Sequence, residues 1–284
     1  MTQRMIIPVW INGVPEASVP VSDRGLAYGD GVFETIRISA GQPTLAALHW
    51  SRLQCSCERL NIPLDLDLLK GEIGRFLWEQ STTTAILKII ITRGSGGRGY
   101  NPEGCSRPTR CLSLHPLPVR TPDPAFSGAR VMRCETRLGR SVLAGMKHLN
   151  RLEQVLARAE WQGDDWDEGV VCDFDGYLIE GTMSNLFVVT TSGCLLTPDL
   201  SGCGVAGVCR QFIQRQSAKW GLTVNIGLIS AALDDLNDLN NVAEVFLCNS
   251  VNGVWPVVQL GEQLWDIGDT TLKIRDCLLE ELNA

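Results

Sequence analysis

Lysine is scarce in this chain: only Lys70, Lys88, Lys147, Lys219 and Lys273 occur. Lys147 lies in Leu143-Ala144-Gly145-Met146-Lys147-His148-Leu149, apolar text just ahead of an amphipathic stretch. A lysine with apolar neighbours loses solvation of its ammonium form and becomes able to form Schiff bases. The spacing equally suits a lysine whose stem packs while its head reaches water. Glu180 ends the apolar run Tyr177-Leu178-Ile179 and opens Gly181-Thr182. It is either a partner for a buried cation, such as a protonated ring nitrogen, or an ordinary solvated strand-end glutamate. Gly204-Val205-Ala206-Gly207-Val208-Cys209-Arg210 opens a helix, where free N–H groups and the helix dipole favour a phosphate; a plain turn reads the same way. Arg93-Gly94-Ser95-Gly96-Gly97-Arg98-Gly99-Tyr100 sets two arginines among four glycines directly after a strand, which suits either carboxylate recognition or a solvated loop.

Composition narrows the possibilities. With 25 Lys+Arg against 32 Asp+Glu the formal charge is −7, without the basic footprint of a nucleic-acid binder. No apolar run reaches the roughly 18 residues of a membrane span, and Met1 to Gly13 reads as strand and turn rather than as a signal peptide. The eleven cysteines form no C-x-x-C pair, and His49, His115 and His148 are far from any ligand spacing. No metal site is expected, and the thiols should be free, mostly buried and kept reduced in the cytoplasm. No Walker ending follows the glycines at 204–207.

The elements that must position these residues follow from periodicity and turn chemistry. Pro116, Pro118, Pro122 and Pro124 mark residues 116–128 as a linker between an N-terminal domain at 1–115 and a C-terminal domain at 129–284 that carries Lys147. Asn12-Gly13 and Asp175-Gly176 are hairpin turns. Val32–Ile38, Ala85–Thr92, Asn185–Val189 and Glu244–Cys248 read as strands, while Leu45–Leu60, Leu149–Trp161 and Gly207–Trp220 read as helices. Leu149, Leu152, Val155, Leu156 and Ala159 share one side of the second helix, and Gly221 ends the third. Without regular β-α-β alternation, the fold class is α+β.

Together these segments resemble the class IV pyridoxal-phosphate enzymes, the family of the D-amino-acid and branched-chain transaminases. Ser22-Asp23-Arg24-Gly25-Leu26-Ala27-Tyr28-Gly29-Asp30-Gly31-Val32-Phe33-Glu34 is similar to its N-terminal signature. His49-Trp50-Ser51-Arg52-Leu53 and Glu180-Gly181-Thr182-Met183-Ser184-Asn185-Leu186-Phe187 are similar to two further segments, and the likeness runs from about Trp10 to about Pro256. Arg93–Tyr100 and Gly145–Gln154 resemble the lyase branch rather than the transaminases. The resemblance implies a two-domain fold like that of D-amino-acid transaminase, a homodimer, and pyridoxal 5'-phosphate as cofactor. It implies Lys147 as Schiff-base lysine and proton-transfer base, and Glu180 at the pyridine nitrogen. Arg52, the N–H groups of Val208 and Cys209, and the Ser250 hydroxyl would hold the phosphate. Cys209 stands where the transaminases usually carry threonine. Tyr28, Phe33 and Arg93 or Arg98 would meet the substrate. The reaction implied is cleavage of 4-amino-4-deoxychorismate to 4-aminobenzoate and pyruvate, toward folate. A D- or branched-chain amino-acid transaminase is the alternative, and it would share every cofactor-holding residue.

Overall fold

The structure is a computed structural model that describes residues 7–15, 18–231 and 242–284. The first part of the strand expected across Met1–Gly13, residues 1–6, lies outside the described residues. The described chain divides into two compact units, and the expected α+β class holds for both.

The first unit comprises residues 1–118, 147–150 and 282–284. Its sheet has six strands in the order Val14–Pro15, Val9–Ile11, Thr109–His115, Ala85–Thr92, Gly31–Ser39, Gln42–Pro43. The Asn12-Gly13 turn forms as expected, with both residues at positive φ (53° and 78°). Alternation along Gly31–Ser39 buries Val32, Glu34, Ile36 and Ile38 on one face, which is why a carboxylate is committed to the interior. Leu53, Leu69 and Phe76, from helices Ala46–Arg59 and Leu66–Glu79, pack in the same buried cluster as Ile36, Leu87, Ile89 and Ile91. The second of these helices was not anticipated, because Gly71 and Gly74 interrupt its text; both face open space, where a missing side chain leaves no void.

The second unit comprises residues 119–146 and 151–281. Its nine-stranded sheet runs Val224–Gly227, Leu195–Pro198, Asn185–Thr190, Val242–Asn249, Gly253–Leu260, Ala129–Leu138, Glu168–Asp173, Leu178–Gly181, with Gln263–Leu264 paired to Gly253–Leu260. Leu178–Gly181 pairs back to Asn185–Thr190 through Glu180 and Asn185, so six of the strands close into a ring. One buried cluster joins Val131, Val170, Leu186, Val245, Trp255 and Val257 from five of those strands. Gly176 takes φ +88° in the expected Asp175-Gly176 turn. Val208–Gln216 is helical, continues as a 3-10 turn through Trp220, and is capped by Gly221 at φ +75°.

Three expectations are corrected. The Leu149–Trp161 helix is confined to Leu152–Arg158, and its apolar side is not buried within the chain: Leu152, Val155 and Leu156 are 76%, 59% and 61% exposed. Residues 147–150 belong to the first unit, not to the C-terminal part, because they pair with Gly31–Phe33. The linker expected at 116–128 is divided, with 119–128 in the second unit and a short helix at Pro124–Ser127.

Candidate active site

In the first unit Lys147 is held by its backbone. Phe33 N donates to Lys147 O (2.9 Å) and Leu149 N to Gly31 O (3.0 Å), an irregular extra strand along the edge of the signature segment. The Lys147 ammonium stands 4.5 Å from the centre of the Phe33 ring. Thus two residues 114 positions apart in sequence, both expected at the site, meet here.

Beneath them lies a buried triad of which only Arg52 was anticipated. Arg52 Nε donates to Glu34 Oε1 (2.7 Å) and Nη2 to Oε2 (2.5 Å), a fork-to-carboxylate pair. His49 Nδ1 lies 2.6 Å from the same Oε2. Burial alone would raise the pKa of Glu34; the charge of Arg52 and the hydrogen bonds from Arg52 and His49 overcome this and hold it at about 2. For His49, burial dominates over Glu34 and pushes the pKa below the ordinary histidine value, with Arg52 and Lys147 acting in the same direction. A neutral His49 beside an ionised carboxylate must carry its proton on Nδ1, which leaves Nε2 as a lone-pair acceptor. That Nε2 is buried and has no hydrogen-bond partner among the described residues. The recoverable signal was the i, i+3 spacing of His49 and Arg52, which puts both on one helix face toward an inward strand position.

The two candidate arginines separate cleanly. Arg93 is buried and committed: Nε donates to Asp30 (2.7 Å), Nη1 to Asn61 O (3.0 Å) and Nη2 to Leu60 O (2.7 Å). Arg98 is exposed and makes no hydrogen bond or ion pair among the described residues. Tyr28 is partly exposed, with its ring 5.3 Å from that of Tyr100.

In the second unit Glu180 is buried on the closing strand, where its Oε2 accepts from Val205 N (2.8 Å). Gln154 Nε2 approaches Glu180 Oε1 at 3.5 Å. The turn after Glu180 is tied down by Glu168, which the sequence reading missed. Its carboxylate accepts from Thr182 Oγ1 (2.5 Å), Ser184 Oγ (3.1 Å) and the N–H groups of Gly169, Thr182 and Met183. Burial raises the pKa of Glu168 and outweighs these bonds.

Val208 and Cys209 open the Val208–Gln216 helix behind Gly207, and no side chain caps that start. A Cβ on Gly207 would collide with Asn185 Oδ1, and one on Gly204 (φ +83°) would come within 2.9 Å of Ile179 and Leu200, so at either position a side chain would force its neighbours to move. Ser250 occupies the turn between Val242–Asn249 and Gly253–Leu260, shaped by Asn249 Oδ1 accepting from Val251 N (2.9 Å) and Asn252 N (2.8 Å). Within the second unit, an uncapped helix start and a buried carboxylate are the groups that suit a phosphate and a protonated ring nitrogen; within the first, an amine over an aromatic ring suits an aldehyde. Among the described residues no cluster of His, Cys, Asp or Glu could hold a metal, and no helix is long and apolar enough to cross a membrane.

The chain belongs to the class IV amino-transferase family, whose sequence pattern matches residues 31–260. Its relatives include an aminodeoxychorismate lyase of Vibrio harveyi, 38% identical over 251 residues that cover 87% of this chain and 89% of the relative. Among solved structures it is similar to the 4-amino-4-deoxychorismate lyase of Pseudomonas aeruginosa, at 43% identity and TM-score 0.90, over 97% of this chain and 100% of that one. The Escherichia coli branched-chain amino acid aminotransferase shares the fold, at 24% identity and TM-score 0.83, over 96% of this chain and 93% of that one.

Proposed function

We propose that this chain cleaves 4-amino-4-deoxychorismate to 4-aminobenzoate and pyruvate, using pyridoxal 5'-phosphate, a step toward folate. The observation that carries this reading is the likeness to lyases of that name across almost the whole chain. The cofactor, when bound, supplies an aldehyde that links to amines and a protonated ring that accepts an electron pair. Lys147 anchors it. Lys147, with its Nζ free and neutral beside the substrate, would take the proton from substrate C4. Glu180 keeps the ring nitrogen protonated. Arg52, the Val208 and Cys209 N–H groups and the Ser250 hydroxyl hold the phosphate. Tyr28, Phe33 and Arg98 orient the substrate, while Arg93, fully engaged internally, roots the loop that carries Arg98. The electron pair left at C4 would expel the enolpyruvyl oxygen from C3, so that the ring becomes aromatic, and the released enolate would become pyruvate by taking up one proton at its methylene carbon, which balances the proton that Lys147 removed.

We infer that the functional form is a homodimer. An apolar stripe of Leu152, Val155 and Leu156 open to water is the kind of surface that a second copy covers. The eleven thiols, all free and six of them buried, suit the reducing cytoplasm.

The test is to mix purified protein, loaded with pyridoxal phosphate, with 4-amino-4-deoxychorismate. Catalytic 4-aminobenzoate with equimolar pyruvate and no added keto acid is the expected result. Amino-group transfer to a keto acid without 4-aminobenzoate would place the chain with the transaminases.

A further inference from the structure

We infer that Arg24 is a positioning residue for substrate binding: it latches the 96–101 loop, so that Arg98 and Tyr100 are presented in one arrangement. The inference rests on the reading above that this loop meets the substrate.

The loop is poorly suited to hold a shape unaided. Gly94, Gly96, Gly97 and Gly99 give it wide backbone freedom, and Gly94 and Gly99 sit at φ +85° and +86°. Its root is paired by Arg24 N to Gly94 O (2.9 Å) and by a bridge between Asp23 and Ser95. Beyond Gly96 the backbone is instead gathered by one side chain. Arg24 Nη1 donates to Gly99 O (2.9 Å) and reaches Asn101 O at 3.5 Å, while Nη2 donates to Tyr100 O (2.9 Å). Three consecutive carbonyls are thus read by a single guanidinium.

That guanidinium is itself fixed. It is buried, its Nε donates to Asp30 Oδ2 (2.9 Å), and it lies 5.0 Å from the centre of the Tyr28 ring, which in turn meets Tyr100. Asp30 accepts Arg93 Nε through the same oxygen (2.7 Å). Burial would raise the pKa of Asp30, but the hydrogen bonds and charges of Arg93 and Arg24 keep it lowered and the carboxylate ionised. One carboxylate therefore couples the loop's root, through Arg93, to its far end, through Arg24. The planar fork is essential: a lysine keeps the charge beside Asp30 but cannot serve Asp30 and the separate carbonyls in this geometry.

The experiment compares wild type, R24K, R24A and R98A, all loaded with pyridoxal phosphate. It reads KM and kcat for 4-amino-4-deoxychorismate, cofactor affinity by titration, and amide hydrogen exchange over 96–101. In R24K we expect KM to rise about tenfold or more, with kcat and cofactor affinity within about twofold of wild type and exchange over 96–101 accelerated. R98A should raise KM without accelerating that exchange. R24K guards against a folding defect in R24A. Unaltered exchange in R24K overturns the latch, and accelerated exchange with an unaltered KM overturns its role in substrate binding. Absence of lyase turnover in wild type would strike the activity reading alone, leaving the latch to be judged by exchange.

Discussion

Glu34→Gln is the substitution whose consequence can be worked furthest. It is nearly isosteric, but it removes the charge that Arg52 and His49 share in a site only 1% exposed. The guanidinium, 7% exposed, loses the carboxylate charge it forks onto, and breaking a buried pair from one side costs about 3–5 kcal/mol. The pKa gives an independent measure. Glu34 falls from 4.5 to about 2 on folding, so its ionised form stabilises the native state by (4.5 − 2) × ~1.36, or about 3 kcal/mol. Because the folded pKa is the lower one, this contribution is complete above about pH 4.5 and is lost as pH falls toward 2. Urea unfolding of the cofactor-free proteins at a series of pH values reads both quantities. The Gln variant should be weaker by about 3 kcal/mol at pH 7. Without the carboxylate His49 is still harder to protonate, so the gap should hold or widen slightly down to about pH 4.5, then narrow. A variant within 1 kcal/mol of wild type at pH 7, or a gap constant from pH 7 to pH 3, would refute the ionised Glu34–Arg52 pair.

Lys147→Ala should lose turnover by at least about 10³-fold while its far-UV circular dichroism stays native, and a near-normal rate with cofactor supplied would remove Lys147 from the chemistry. Gly207→Ala drives a Cβ into Asn185 and should cost about 1–3 kcal/mol in denaturant unfolding and weaken cofactor binding; unchanged affinity would argue against this helix start as the phosphate seat. Leu156→Glu puts a charge on the open apolar stripe and should shift light-scattering mass from dimer to monomer, whereas an unchanged mass would place the interface elsewhere.

Local rules made the hairpins and caps legible. Asn12, Gly13, Gly176 and Gly221 take the positive φ that their residue types foretell. Lys147, Glu180 and the Gly204–Gly207 segment could be singled out because each sits at an element boundary with unusual residue chemistry. Roles decided by distant partners were hidden. Arg93 and Arg98 look alike in sequence, and what separates them is a pair of carbonyls at Leu60 and Asn61, more than thirty residues away. Glu34 reads as an ordinary strand glutamate until the pleat turns it inward beneath a helix. The helix at Leu152–Arg158 has the amphipathic pattern of a buried element, yet its apolar side opens outward, because periodicity reports that a face is to be covered and not by which chain.

The closed ring of the second unit has a consequence for the order in which this protein is made. Glu180 and Asn185 meet across a turn of only four residues, 181–184, so that joint closes with little loss of chain entropy. The parallel seam between Ala129–Leu138 and Gly253–Leu260 joins Val257 to Ala129 and must enclose more than 120 residues first. Contacts of such separation form late. The carboxylate expected at the pyridine nitrogen thus stands on one of the short-range, early seams of the ring, and the slow final joint falls on strands that carry none of the proposed catalytic groups. A chain caught before that joint would already hold its Glu180 turn, and damage to the late seam would be felt as slow or incomplete folding before it was felt as altered chemistry.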